Sequence, residues 1–255
     1  MTSDSISLEF SPEAHINDCP ECVHIWFWEC SRLKKSHQQD LTSLLSTSEK
    51  ARAGRFKLSY LQERHIATRI FLRLCLSRYA GLPPAQLEFE STPKGKLYLR
   101  NSPRQLYFNL SHSDGLVTLA ISLNSEVGID IEKKRSLDFL ALAQRFFHPN
   151  EFRQLEQAKD NMAETRFFRL WTLKEAVFKA LGYGVGDGIE KLNIDLDCTP
   201  LQFTAEKSLQ AQENEWNLVE KQLDPQTFVA VAHQSGSSEP LWFDGQLLFQ
   251  PMTTS

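Results

Sequence analysis

No apolar run in this 255-residue chain approaches the roughly 20 residues that a bilayer-spanning helix needs, so a helical membrane protein is not expected. An excess of basic charge is missing too. The chain carries 28 Lys and Arg against 32 Asp and Glu, a formal charge of −4, which lacks the usual signature of a general nucleic-acid binder. Gly and Pro stand at 11 each, ordinary usage that excludes collagen-like and low-complexity chains. The stretch Met1–Phe10 has no basic start followed by an apolar segment, so no secretory signal is read and a cytoplasmic protein is expected. Cysteine is scarce and odd in number: Cys19, Cys22, Cys30, Cys75 and Cys198 are expected as reduced thiols. Cys19-Pro20-Glu21-Cys22 has metal-knuckle spacing, but no second pair completes a zinc site, and Val23–Trp28 reads as a strand where a redox motif would open a helix.

What is present is a pattern that runs twice. After the strand Val23–Trp28, helical periodicity covers Asp40–Phe56 and Leu58–Tyr79, closed by Gly81-Leu82-Pro83-Pro84. Extended runs follow at Leu87–Glu90, Leu97–Leu99, Leu106–Ser111 and Leu116–Leu123. The order then restarts with a strand at Val127–Glu132 and helices over Leu137–Phe147, Asn150–Ala158 and Ala163–Leu181. Strands close the chain at Leu192–Leu196, Trp216–Glu220, Phe228–Ala232 and Leu241–Phe249. The expectation is an α+β protein of two similar halves, 1–124 and 125–255, the second with a C-terminal extension, and a ligand cleft between them.

Chemistry concentrates in four stretches. In Gly128-Ile129-Asp130-Ile131-Glu132, strand alternation sends Val127, Ile129 and Ile131 to the core and puts Asp130 and Glu132 on one face, about 7 Å apart. Solvent or a hard divalent cation would compensate such a pair. On the long helix, Trp171, Glu175 and Lys179 form a stripe at four-residue spacing with Lys174 one step around, a carboxylate flanked by two ammonium groups. In Asn109-Leu110-Ser111-His112-Ser113, imidazole, hydroxyl and backbone N–H suit phosphate oxygens. No Gly-x-Ser-x-Gly elbow surrounds a serine, so a hydrolase nucleophile is not expected. Finally, Lys50, Arg52, Arg55, Arg64, Lys94 and Lys96 form local basic clusters, whereas Arg55, Arg69 and Arg73 read individually as solvated helix positions.

Taken in order, these stretches resemble the Sfp-type 4′-phosphopantetheinyl transferases. The resemblance runs from Ser48 to Gly184 through Glu49-Lys50-x-Arg52-x-x-Arg55-Phe56 with Arg64, Gly95-Lys96, Phe108–Ser113, Gly128–Lys133, Arg145-Phe146-Phe147-x-x-x-Glu151 and Trp171-Thr172-Leu173-Lys174-Glu175-Ala176-x-x-Lys179. It implies two pseudo-symmetric halves with the active site between them. The implied reaction moves the phosphopantetheine arm from coenzyme A, the substrate, to a serine of an apo acyl or peptidyl carrier protein, releasing adenosine 3′,5′-bisphosphate. It further implies Mg²⁺ on Asp130, Glu132 and Glu175, and pyrophosphate contacts from Lys174 and Lys179. Ser111, His112 and Arg64 are implied at the nucleotide phosphates, with Arg52 and Lys96 as helpers and Glu175 as the candidate base. A monomer with internal pseudo-two-fold symmetry, and no nucleic-acid or membrane partner, is expected. Two rivals remain open: a Mg²⁺-dependent nucleotide pyrophosphatase, and a non-catalytic module that binds carrier protein or coenzyme A.

Overall fold

The computed structural model describes residues 21–158, 161–209, 216–234 and 239–249, so Cys19 and the residues before it lie outside the described residues. Strand β1 (His24–Glu29) precedes helices α1 (Lys35–Leu41), α2 (Thr47–Ala53) and α3 (Ser59–Ala80), then the pairs β2 (Phe89–Ser91) with β3 (Leu97–Leu99), and β4 (Tyr107–Ser113) with β5 (Leu116–Ser122). The order then repeats: β6 (Val127–Lys133), α4 (Phe139–Phe146), α5 (Pro149–Gln157), α6 (Asn161–Leu181), β7 (Leu192–Asp195) with β8 (Gln202–Ala205), and β9 (Trp216–Asp224) with β10 (Thr227–Gln234). A last strand, β11 (Leu241–Asp244), has no counterpart in the first run among the described residues.

The repetition extends to the sheets. One runs β11-β1-β5-β4 and the other β6-β10-β9, so without β11 the strand order is the same in both. Each run also has one long helix, 22 residues in α3 and 21 in α6, followed by a short hairpin. The expected α+β architecture of two like halves is therefore present. Strand β11 qualifies the division at residue 124, because it returns to lie parallel beside β1, with Leu241 against His24. Gly245 then passes so close that a Cβ would stand 2.5 Å from the Phe71 ring and 2.8 Å from Trp28. Residues 241–249 thus complete the first core.

Local chemistry explains the element ends. A single helix over 40–56 was expected, but Ser46 starts a new one: its Oγ accepts from the Glu49 N–H and the Glu49 carboxylate accepts from the Ser46 N–H, a reciprocal cap. Helix α3 stops at Gly81, whose φ of 66° is left-handed. The β4–β5 turn is Asp114-Gly115, with φ of 46° and 84°, the two-residue turn that matches strand twist.

Arg69 and Arg73 are not solvated positions. Both are buried; Arg69 Nε donates to Glu49 Oε1 at 2.6 Å, and Arg73 Nε donates to Glu49 Oε2 at 2.9 Å. They face inward because α2 lays its one carboxylate against α3. Cys30, Cys75 and Cys198 are free thiols, but Cys22 is disulfide-bonded, which corrects the expectation that every cysteine is reduced. Among the described residues, no helix is long and apolar enough to cross a membrane.

Three apolar clusters hold the described residues together. Phe71, Leu72 and Trp28 centre the first half, and Phe168, Val177 and Phe178 the second. A third, with Ile25, Ala120, Ile129, Ile131 and Val231, lies between the two sheets and joins them.

Candidate active site

Strand β6 is buried on both sides. Its odd-numbered residues Val127, Ile129 and Ile131 enter the cluster between the sheets, as alternation predicts. The even-numbered face carries Gly128, Asp130 and Glu132, which pair across the sheet with Ala232, Ala230 and Phe228 and lie toward α6. A Cβ at Gly128 would stand 2.0 Å from the Ala176 carbonyl oxygen and 2.4 Å from the Ala180 nitrogen. Only glycine lets the strand lie directly on the helix. That contact brings Asp130 to Lys179, whose Nζ donates to Asp130 Oδ1 at 2.5 Å.

Strands β4 and β6 are the facing edges of the two sheets, and no backbone ladder joins them. Edge strands normally leave a row of unpaired N–H groups. Here alternate side chains of β4 supply the acceptors. The N–H groups of Ile129, Ile131 and Lys133 donate to Asn109 Oδ1, Ser111 Oγ and Ser113 Oγ at 3.0, 3.4 and 3.2 Å. Ser111 also donates to Asp130 Oδ1 at 2.7 Å, and Lys179 Nζ donates to Ser111 Oγ at 3.0 Å.

These groups line a cavity of about 280 Å³ formed by Leu110, Ser111, His112, Asp130, Ile131, Glu132, Glu175 and Lys179. Its acidic charge is only partly compensated, by Lys179 on Asp130 and Arg135 on Glu132. Burial, then Asp130, pushes the Glu175 carboxyl up to about 7, against the opposing pull of Lys179. Burial and Asp130 also raise Glu132, although Arg135 Nη1 donates to it at 2.7 Å. His112 opens to solvent, yet burial of its ring and then the Lys179 ammonium lower its pKa. Asp130 Oδ2 is buried and accepts no hydrogen bond. Among the described residues no three carboxylates, imidazoles or thiols converge into a ready metal cage. The donor set nonetheless fits Mg²⁺, which binds through one or two carboxylates and takes its remaining oxygens from water and phosphate. A buried carboxylate oxygen without a partner, beside two carboxyl groups of raised pKa, is the feature that such a cation would satisfy.

The remaining expected residues fall elsewhere. Lys174 does not reach the cavity: it is fully buried, 2.8 Å from Glu151 Oε2, and donates to the carbonyls of Ile189, at 3.0 Å, and Leu192. One step around the helix from Glu175 is about 100°, enough to turn it from cleft to core. This corrects the expectation of a pyrophosphate contact. Trp171 likewise packs against Phe146, Phe147 and Phe167. Lys96 Nζ donates to the Ala180 carbonyl at 2.8 Å and to Glu126 at 2.5 Å, clamping the end of α6 from the other half. Arg64 pairs with Asp114 at 3.2 Å beside a separate cavity of about 430 Å³, and Arg52 is exposed on α2. Asn109, Ser113, Gly128 and Glu151 carry structural parts of the site that the motifs had not assigned. The two-residue spacing of Asn109, Ser111 and Ser113 is the sequence signal of the first two.

An acidic cavity with a lysine and a histidine, set between two repeats of sheet and helix, suits a two-lobed protein that holds a cation against a phosphate group. Residues 28–124 match the 4′-phosphopantetheinyl transferase, N-terminal family and residues 126–233 the 4′-phosphopantetheinyl transferase superfamily. The chain belongs to the 4′-phosphopantetheinyl transferases, as its motifs implied. It is similar to the 4′-phosphopantetheinyl transferase HetI of Nostoc sp., with 38% identity over 82% of this chain and 86% of that one. It is also similar to 4′-phosphopantetheinyl transferase psf-1 of Bacillus pumilus, 34% identical over 62% of this chain and 66% of that one. The L-aminoadipate-semialdehyde dehydrogenase-phosphopantetheinyl transferase of Homo sapiens is 30% identical over 81% of this chain and 73% of its own length.

Proposed function

We propose that this transferase moves the phosphopantetheine arm of coenzyme A onto a serine of an apo acyl or peptidyl carrier protein, acting as a cytoplasmic monomer. The observation that carries the reading is Asp130: one oxygen is held by Ser111 and Lys179, the other is buried and unpartnered, and both lie beside Glu132 and Glu175 in one cavity. Asp130 and Glu132 would hold Mg²⁺ with Glu175. When bound there, the ion supplies positive charge that neutralises oxygens of the diphosphate.

In the transfer, a bond forms from the carrier serine oxygen to the phosphorus bearing the pantetheine arm, and the bridging P–O bond to adenosine 3′,5′-bisphosphate breaks. Charge develops on the phosphoryl and leaving oxygens, and catalysis of such a step is chiefly positioning and electrostatics. Lys179, the ammonium in the cavity, stabilises that charge. Glu175, which lines the same cavity, is assigned to take the proton of the serine hydroxyl. His112 on β4 and Arg64 beside the β4–β5 turn receive nucleotide phosphates, with Arg52 and Lys96 contributing basic charge. The nucleophile arrives with the partner, so no activated serine is needed in this chain.

Leu140 on α4 is exposed and suits a carrier contact. The test is intact-mass analysis of an apo carrier protein incubated with the enzyme, coenzyme A and Mg²⁺. Gain of one phosphopantetheine arm supports the proposal. Products released from coenzyme A without any carrier would instead favour a pyrophosphatase, and tight carrier binding with unchanged mass a binding module.

A further inference from the structure

We propose that Ser111 is a positioning residue, whose hydroxyl fixes the Asp130 carboxylate and the Lys179 ammonium and does not itself bind phosphate. The inference rests on the reading that Asp130 faces the reacting diphosphate, and it changes the role that the motif resemblance implied for this serine. A serine hydroxyl has one hydrogen and two lone pairs. All three directions are used here. The hydrogen goes to Asp130 Oδ1 at 2.7 Å, and the oxygen accepts from Lys179 Nζ at 3.0 Å and from the Ile131 N–H at 3.4 Å. The residue is only 6% exposed.

A phosphate oxygen is an acceptor. To be bound by Ser111 it would have to take the hydrogen that holds Asp130. His112, the next residue on the strand, lines the same cavity but is exposed, so its ring is open to a phosphate where the Ser111 hydroxyl is not. With Oδ1 held twice, the Asp130 carboxylate cannot rotate freely, and Oδ2 is left as the oxygen without a hydrogen bond. Ser111 is in turn the middle rung of the side-chain ladder that ties β4 to β6, so the join between the halves and the orientation of the carboxylate are set by one hydroxyl.

The test compares the wild-type chain with Ser111→Ala, the hydroxyl-retaining Ser111→Thr, and His112→Ala. Its readouts are the Mg²⁺ dependence of transfer, Mg²⁺ binding by calorimetry, adenosine 3′,5′-bisphosphate binding without metal, and amide exchange across 127–133. Ser111→Ala is expected to raise the Mg²⁺ midpoint about tenfold or more, as loss of a group that orients a ligand does. It should also speed exchange at Ile131 and leave bisphosphate affinity unchanged, while Ser111→Thr restores the midpoint and the exchange. The proposal is overturned if Ser111→Ala weakens bisphosphate binding as far as His112→Ala does, with the Mg²⁺ midpoint and Ile131 exchange unmoved. If the wild-type chain transfers nothing, the reading of the reaction fails, yet Mg²⁺ calorimetry and Ile131 exchange still decide the role of Ser111: both unmoved by Ser111→Ala overturns it, and both moved supports it.

Discussion

The first half of the molecule buries a carboxylate at Glu49 and the cleft buries one at Asp130, and the two are treated differently. Both oxygens of Glu49 are filled, by Arg69 on one side and by Arg73 with the Ser46 N–H on the other. Glu151 in the second half is filled as well, by the Ile194 N–H at 2.8 Å and by Lys174 with the His148 N–H. Asp130 has one oxygen doubly held and the other without a hydrogen bond. A saturated buried carboxylate is a structural joint, whereas a half-satisfied one keeps its charge available to a ligand. The same contrast separates Lys174 from Lys179, five residues apart on one helix.

The comparison breaks most sharply at Asp130. Asp130→Asn should lower carrier modification on the order of 10³-fold while the melting temperature stays near wild type, because the shape is kept and only the charge is lost. Intact mass and a thermal melt run in parallel check it; a large loss of stability would make Asp130 a joint after all. Next comes Lys174→Met, expected to cost about 3–5 kcal/mol by stranding Glu151, read as a fall in urea midpoint. A stable Lys174→Met protein with a slowed reaction would return this lysine to the cleft.

Gly128→Ala should cost about 1–3 kcal/mol and lower the rate, since the added methyl must push β6 from α6 and part Asp130 from Lys179. The smallest effect is on acid stability. Burial alone would raise the Glu49 pKa, but Arg69, Arg73 and the Ser46 N–H outweigh it and hold it below the ordinary 4.5. Its contribution is therefore full above about pH 4.5, its unfolded value, and is lost as pH falls through the lower folded value. Urea midpoints measured downward from pH 5 should decline more steeply for wild type than for Glu49→Gln.

Much of this was legible beforehand. The restart of the element order at Val127, the shared face of Asp130 and Glu132, and the stripe of Glu175 and Lys179 follow from periods of 2.0 and 3.6 residues. Lys174 was misplaced because adjacency in sequence says only that two side chains differ by about 100°, not which of the two faces the cleft. Arg69 and Arg73 were misjudged because their partner, Glu49, lies 20 and 24 residues away. Strand β8 carried too weak an alternation to be seen, and β11 gave no hint that it would cross back to β1.

Alone, then, the order of residues determined the two-fold repetition of its elements and the inventory of acids and bases, because periodicity and side-chain type are properties of the chain itself, while the class of protein followed from the resemblance of its motifs to a family. Which carboxylates are saturated, which lysine is buried and how Ser111 joins two sheets were decided only on folding. Those outcomes depend on which distant groups come within hydrogen-bonding reach, and on burial that makes one unfilled oxygen matter.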